Sequence, residues 1–138
     1  MEITTGSWDC MKDEARQIRY KVFVEEQNVP VEIEWDDKDE SALHALARDD
    51  SGRPVATGRL LPDKRIGRMA VLKEARGSGV GSKVLSTLID AARARGDSFV
   101  TIHAQLHAKP FYEKFGFVPF GKEFLEADIP HVEMRLSM

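Results

Sequence analysis

The chain is most easily placed by what it lacks. It has one cysteine, Cys10, so no internal disulfide can form, which suits a reducing compartment. It has no apolar run of membrane-spanning length and no signal-peptide pattern at its start, so it reads as a cytoplasmic protein with no membrane partner. It has no excess of positive charge. The 20 Lys and Arg residues against 23 Asp and Glu residues give a net charge of -3, which argues against general nucleic-acid binding. It has no internal repeat, low-complexity tract or linker. It also lacks a metal-ligand pattern: His103 and His107 have i, i+4 spacing, but they straddle a predicted strand end, and no cysteine pair accompanies them. Cys10 has no histidine beside it and reads as a small packing residue rather than a nucleophile.

What remains is an ordinary globular composition, 42% hydrophobic and 31% charged over 138 residues. One domain spanning 1–138 is expected, long enough to bury roughly two thirds of its unfolded surface. Glu2 to Gly6 reads as a short strand. Trp8 to Gln27 reads as a helix, with Met11, Ala15, Ile18, Val22 and Phe23 on one face, Ser7 as N-cap, and a break expected before Glu25-Glu26-Gln27. Strand patterns at 42–48, 53–61 and 64–72, separated by the turns Asp49–Gly52 and Pro62-Asp63, predict a three-strand meander. Gly67 inside the third strand suggests a bulge or a close backbone approach. A helix from Val80 to about Gly96 follows. Then comes a β-branched strand at 99–104, expected to lie parallel to 64–72 by a right-handed crossover and to be buried on both faces. A short helix opens at Pro110 and stops at Gly116. Lys122 to Asp128 reads as a strand broken by Ile129-Pro130, and His131 to Leu136 alternates as the last one.

The stretch with chemistry in it is Arg76-Gly77-Ser78-Gly79-Val80-Gly81-Ser82, between a strand and a helix. The first N–H groups of a helix lack internal partners, the helix dipole favours negative charge there, and glycines let the backbone come close. A phosphate or pyrophosphate is the natural guest. The string is not a Walker loop, since Gly81 is followed by Ser82 with Lys83 one place late, and GxGxG is not the dinucleotide fingerprint GxGxxG. Taken alone, the heptapeptide reads equally well as a plain turn.

Arg76, Gly79 and Gly81 do fit [RQ]xxGx[GA], and the string resembles the acetyl-CoA loop of the GNAT N-acetyltransferase superfamily. Ala108, Phe111, Tyr112, Gly116 and Phe117 match a second motif of that superfamily, A-x-x-F-Y-x-x-x-G-F, in the right order and about one helix and one strand later. The segments Ile18–Gln27 and Ile129–Met134 look like an ElaA-like bacterial branch. The resemblance covers essentially the whole chain. It implies a mixed, mostly antiparallel sheet with a central parallel pair splayed at the cofactor site and helices on both faces. It implies that the acetyl-CoA pyrophosphate rests on Arg76 through Ser82, that pantetheine pairs with Met69, Ala70 and Val71, and that Phe111 and Tyr112 also meet the cofactor. A main-chain N–H of Met69 or Ala70 would polarise the thioester carbonyl. The implied reaction is direct acetyl transfer from acetyl-CoA to a primary amine of a small molecule or peptide, without metal.

Alkylamines hold a proton at neutral pH, with pKa values near 10.4, so a base is needed, and a donor helps the leaving thiolate. Tyr112 is the candidate acid, by its match to the family tyrosine; an ordinary core tyrosine is the other reading. Glu25, Glu26, His103, Glu126 and His131 are candidates for the base, with His103 and Glu126 placed first and Gln105 expected on the same face as His103. His44 reads as structural, and Lys109 and Lys114 as solvated or reaching a phosphate. The acidic residues Glu32, Glu34, Asp36, Asp37, Asp39 and Glu40 read either as a solvated loop or as a wall attracting a cationic amine. Trp35 among them caps the core or lines a pocket. A non-catalytic acyl-CoA-binding or sensing module, or an interaction domain keeping only the fold, are the alternatives. The composition leaves a homodimer open.

Overall fold

The first half of the chain builds a meander that supplies three of the eight strands of one sheet. In the computed structural model, which describes residues 1–138, the strands are β1 (Glu2–Gly6), β2 (Leu43–Arg48), β3 (Pro54–Leu60), β4 (Arg65–Val71), β5 (Phe99–Gln105), β6 (Val118–Pro119), β7 (Phe124–Glu126) and β8 (Ile129–Ser137). Their order is β1-β2-β3-β4-β5-β8-β6, with β7 also paired to β8. Every pairing is antiparallel except β4 with β5. The helices are α1 (Trp8–Arg19), α2 (Val31–Glu34), α3 (Val80–Ala94) and α4 (Lys109–Glu113).

The helices cover both faces, and β3 shows how. The position of Gly58 faces Val84 and Leu88 of α3, while the next residue, Arg59, reaches Asp39 on the α1 side. Successive strand residues point to opposite faces, so β3 is buried from Val55 through Leu60. The core joins Met11, Ile18 and Val22 to Leu46, Leu60, Ile66, Val84, Leu85, Leu88 and Ile102.

Four sequence expectations are corrected. First, the helix does not break before Glu25 but widens: after Arg19 it runs on as a π-helix over Tyr20–Glu26. A π-turn re-aims the following side chains, here Glu26 and Gln27. Second, the irregularity in β4 belongs to Arg68, not Gly67. Arg59 faces Gly67 and Thr57 faces Ala70, so β4 holds one extra residue there, and Arg68 has φ 49. Gly67 keeps a negative φ and has open space where a Cβ would go. Third, β5 is buried on one face only: Val100, Ile102 and Ala104 are enclosed, while Thr101, His103 and Gln105 are half-buried. Fourth, Ile129 and Pro130 begin β8 rather than breaking a strand, since the turn falls at Ala127-Asp128, both with positive φ. Val118 and Pro119 form a short strand paired to β8.

Candidate active site

The glycine loop sits where the sequence puts it. Gly79 is the N-cap of α3 with φ 82, Gly77 has φ 81, and nothing lies within 4 Å of the Cβ position of either. Both therefore use conformations that side chains disfavour, and both present bare backbone to open space. The Gly81 Cβ position lies 3.3 Å from Val71 and 3.8 Å from Phe111, so Gly81 lets the mouth of α3 sit tightly between β4 and α4. Val80 is buried beneath the loop. The Ser78 hydroxyl donates to the Ala75 carbonyl, and Ser82 follows in the first turn of α3. Arg76 donates through Nε to the Val71 carbonyl and forks onto Glu26 with two bonds of 2.7 Å. This pair explains the Glu26 carboxyl, whose pKa is lowered chiefly by the Arg76 hydrogen bond.

Next to the loop the parallel pair comes apart. β4 and β5 are bridged only at Arg65–Thr101 and Ile66–Ile102. Past Ile66, the edge of β4 that carries Met69, Ala70 and Val71 has no strand against it. The extra residue at Arg68 bends β4 at this point. Gly58 on β3 makes the bend fit, because a Cβ there would lie 2.6 Å from Met69 Sδ and 2.9 Å from Leu88 Cδ1.

The gap opens into a cavity of about 370 Å³ that holds His103, Gln105, Tyr112, Glu126 and His131 in its wall. Glu126 Oε1 lies 3.1 Å from His103 Nδ1, and Glu126 Oε2 lies 3.7 Å from His131 Nε2. The His103 hydrogen bond, helped by nearby positive charge, holds the Glu126 carboxyl below the usual range. Glu126 is thus a carboxylate that orients His103. Glu133 Oε1 lies 3.8 Å from His103 Nε2, and the Phe124 ring packs edge-on against the imidazole. His131 donates through Nδ1 to the Ile129 carbonyl at 2.6 Å. Gln105 donates to Gln27 Oε1 at 2.9 Å, tying β5 to the end of the π-helix. Tyr112 is 7% exposed, and its hydroxyl makes no hydrogen bond within the protein. Burial pushes its pKa up to about 12.

The structure sorts the other candidates. Glu26 is engaged by Arg76, and Glu25 is exposed and outside the cavity wall. His44 is buried and donates through Nε2 to the Asp39 carbonyl at 2.9 Å, which is a structural role. Cys10 is exposed rather than packed, and Lys114 is exposed at the C-cap of α4. His107 is exposed at the cavity wall and makes no hydrogen bond to His103, whose Nδ1 meets Glu126. Trp35 neither caps the core nor lines the cavity. It is 49% exposed, and its ring stacks on the Arg16 guanidinium. The acidic stretch divides: Glu32, Asp37 and Glu40 are exposed with no ion pair, as a solvated loop would be, while the other three are held by arginines. Glu34 and Asp39 clasp Arg19, Asp36 and Asp39 clasp Arg59, and Arg68 closes on Asp36 at 3.3 Å.

Among the charged cavity residues that escape the sequence reading are Arg65 and Arg68. Their signal was available: two arginines bracket a glycine on the strand expected to splay. Arginine on a half-exposed strand is usually just solvated, so the signal is weak without the third dimension.

The comparisons agree with this geometry. The profile of the "Acetyltransferase (GNAT) domain" family matches residues 9–138. The chain is 41% identical over 128 residues to YjcF of Bacillus subtilis, described as an uncharacterized N-acetyltransferase, covering 90% of each chain. The crystal structure of Escherichia coli ElaA superposes with a TM-score of 0.87 at 30% identity, covering 98% of this chain and 99% of that one. An acyl-CoA N-acyltransferase from Pseudomonas aeruginosa superposes with a TM-score of 0.86 at 32% identity, covering 97% of each chain. With its glycine-loop helix mouth, its splayed strands and matches of this extent, the chain belongs to the GNAT acetyltransferase family and is an acyltransferase.

Proposed function

We propose that this chain transfers an acetyl group from acetyl-CoA to a primary amine, held beside His103 in the cavity between β4 and β5. One observation carries the reading: the mouth of α3 packs at Gly81 against Val71 of the unpaired edge of β4, and Met69 of that same edge shares a cavity wall with His103 and Glu126. The fit to the donor rests on the same features. Open backbone at Gly77 and Gly79, with Ser78, Val80, Gly81 and Ser82 around the helix mouth, suits a diphosphate. The unpaired edge of Met69, Ala70 and Val71 suits the amide groups of the pantetheine arm. Phe111 and Tyr112 close the far side from α4.

Bound there, acetyl-CoA supplies the activated acetyl group as a thioester. The chain supplies the rest. A main-chain N–H of Met69 or Ala70, at the splayed part of β4, is available to a carbonyl oxygen. His103, held through Nδ1 by Glu126, has Nε2 as its proton-accepting atom and takes the ammonium proton directly or through water. Tyr112 stays protonated across the neutral range and offers its hydroxyl to the sulfur. A thiol has a pKa of about 8.5, below the raised value of Tyr112, so the tyrosine steadies the thiolate by a hydrogen bond more than it surrenders a proton.

The test is incubation with acetyl-CoA and a broad amine panel, read by mass spectrometry alongside CoA titration by calorimetry. Acetylated product that disappears in His103→Ala supports the reading. CoA binding with no product across the panel replaces it with a non-catalytic acyl-CoA-binding module.

A further inference from the structure

The acceptor cavity is not acidic. Its wall carries the carboxylates of Glu34, Asp36 and Glu126, and each is already engaged: Glu34 by Arg19, Asp36 by Arg59 and Arg68, and Glu126 by His103. No carboxylate in the wall remains free for a second ammonium group. The wall cations Lys38, Arg59, Arg65 and Arg68 outnumber these acids, and two of them, Arg65 and the exposed Lys38, form no ion pair. Arg59 and Arg68 spend their forks on Asp36, Asp39 and backbone carbonyls. Arg65 forms no ion pair. Its guanidinium meets only the His103 ring, with Nη1 3.1 Å from Nδ1 and 3.2 Å from Nε2.

Arg65 sits at one of the two bridged rungs of the parallel pair, beside Thr101, on the same face as His103. A half-buried guanidinium has five donors in a fixed fork that matches a carboxylate or phosphate. Only Nη1 of this fork has a protein partner, and the guanidinium lines the open cavity, so a ligand anion is its fitting partner.

We propose that the acceptor is an amine that also carries an anionic group, a carboxylate or a phosphate, seated on Arg65. This inference rests on the acetyl-transfer reading above and narrows its substrate class. It sets aside the polyamine-like acceptor suggested by the acidic stretch. It also gives Arg65 a second consequence. Nη1 lies within hydrogen-bond reach of His103 Nε2, and an anion drawing the guanidinium away leaves that nitrogen free to take the amine proton. The cationic Lys38, exposed at the cavity rim, adds to the same sign of field.

The experiment uses matched acceptors: ω-amino acids of two to six carbons, their amides, the corresponding diamines, and 2-aminoethyl phosphate. With acetyl-CoA, the wild type is expected to favour an acid or the phosphate over its neutral partner by about tenfold to a hundredfold in kcat/KM, the range of one charge-assisted contact. The better anion identifies carboxylate or phosphate as the natural group. Arg65→Gln is expected to bring that ratio close to one, mainly through KM and whatever the absolute rate, and Arg65→Lys to keep part of it. Calorimetry on the CoA-loaded protein reads the same acid-over-amide preference without turnover. Preferential binding of the acid with no acetylation of any amine upholds the anion seat and defeats the transfer reading. Equal or better use of amides or diamines, an unchanged ratio in Arg65→Gln, or no binding of any anionic amine overturns the inference.

Discussion

Gly79 carries the loop at the scale of one residue. Its φ of 82 and the open space at its Cβ position separate two effects. Gly79→Ala adds only the left-handed strain, about 1–2 kcal/mol. Gly79→Glu adds a carboxylate where an anion belongs. We expect Gly79→Ala to weaken CoA binding modestly and Gly79→Glu to abolish it by calorimetry, while circular dichroism shows the helices retained. Undiminished affinity in the glutamate variant would place the diphosphate elsewhere. Tyr112 gives the second test at this scale. Its hydroxyl has no protein partner, so removing it leaves no buried group stranded. Tyr112→Phe is expected to fold normally and bind CoA within about threefold of wild type, yet to lose roughly 10- to 100-fold in kcat, the scale of one hydrogen bond to a charged group. Equal losses in kcat and CoA affinity would assign the residue to packing.

Among the elements, the bend in β4 decides the site, and Gly58 on the neighbouring strand permits it. A methyl group there collides with Met69 Sδ and Leu88 Cδ1. Gly58→Ala is expected to cost about 1–3 kcal/mol in urea unfolding, as overpacking does, and to move Met69 at the cavity wall. A neutral result would mean that the Met69 chain end swings away freely. This region also marks how far a sequence can be read. The strands, the glycine loop, α3 and α4 were legible because periodicity and punctuation are local. His103 and Glu126 were legible as candidates, and the fold brings them to 3.1 Å. The bulge was assigned to Gly67 because glycine usually takes the odd conformation, yet Arg68 takes it. What holds Arg68 there is a set of contacts with Ile33, Glu34 and Asp36, more than thirty residues away, which no local pattern reveals. The π-helix was missed for a like reason: the widening keeps a helical pattern in the sequence, and the contacts of Glu26 with Arg76 and Gln27 with Gln105 are tertiary.

For the molecule as a whole, the arginine-held part of the acidic stretch is a structural clamp. Arg19, Arg59, Asp39 and Glu34 are all nearly inaccessible, and they fasten α1, α2 and the segment at Asp39 to β3. Asp39→Ala leaves two buried guanidinium groups under-compensated and is expected to cost about 3–5 kcal/mol in denaturant unfolding. A loss below 1 kcal/mol would show that water replaces the carboxylate. The clamp also sets the response to acid. Burial holds the His44 pKa below its ordinary value near 6.5, so the unfolded chain takes up that proton first, and stability should begin to fall as the pH drops below about 6.5. Burial alone would raise Asp36 and Asp39, but the Arg59 guanidinium, with Arg68 at Asp36 and Arg19 at Asp39, overcomes it and holds both low. Their contribution is complete above about pH 3.9 and is lost as the pH falls further, giving a second, steeper decline in thermal melts. Finally, only two rungs join the sheet across its middle, at Arg65 and Ile66, so it is two half-sheets with a seam. A guest lying in that seam and bonding to main chain on the β4 side would act as a zip fastener. Amide exchange in β4 and β5 should then slow sharply on adding CoA while that of β1 and β2 barely changes, so the donor would finish the architecture before the acceptor arrives.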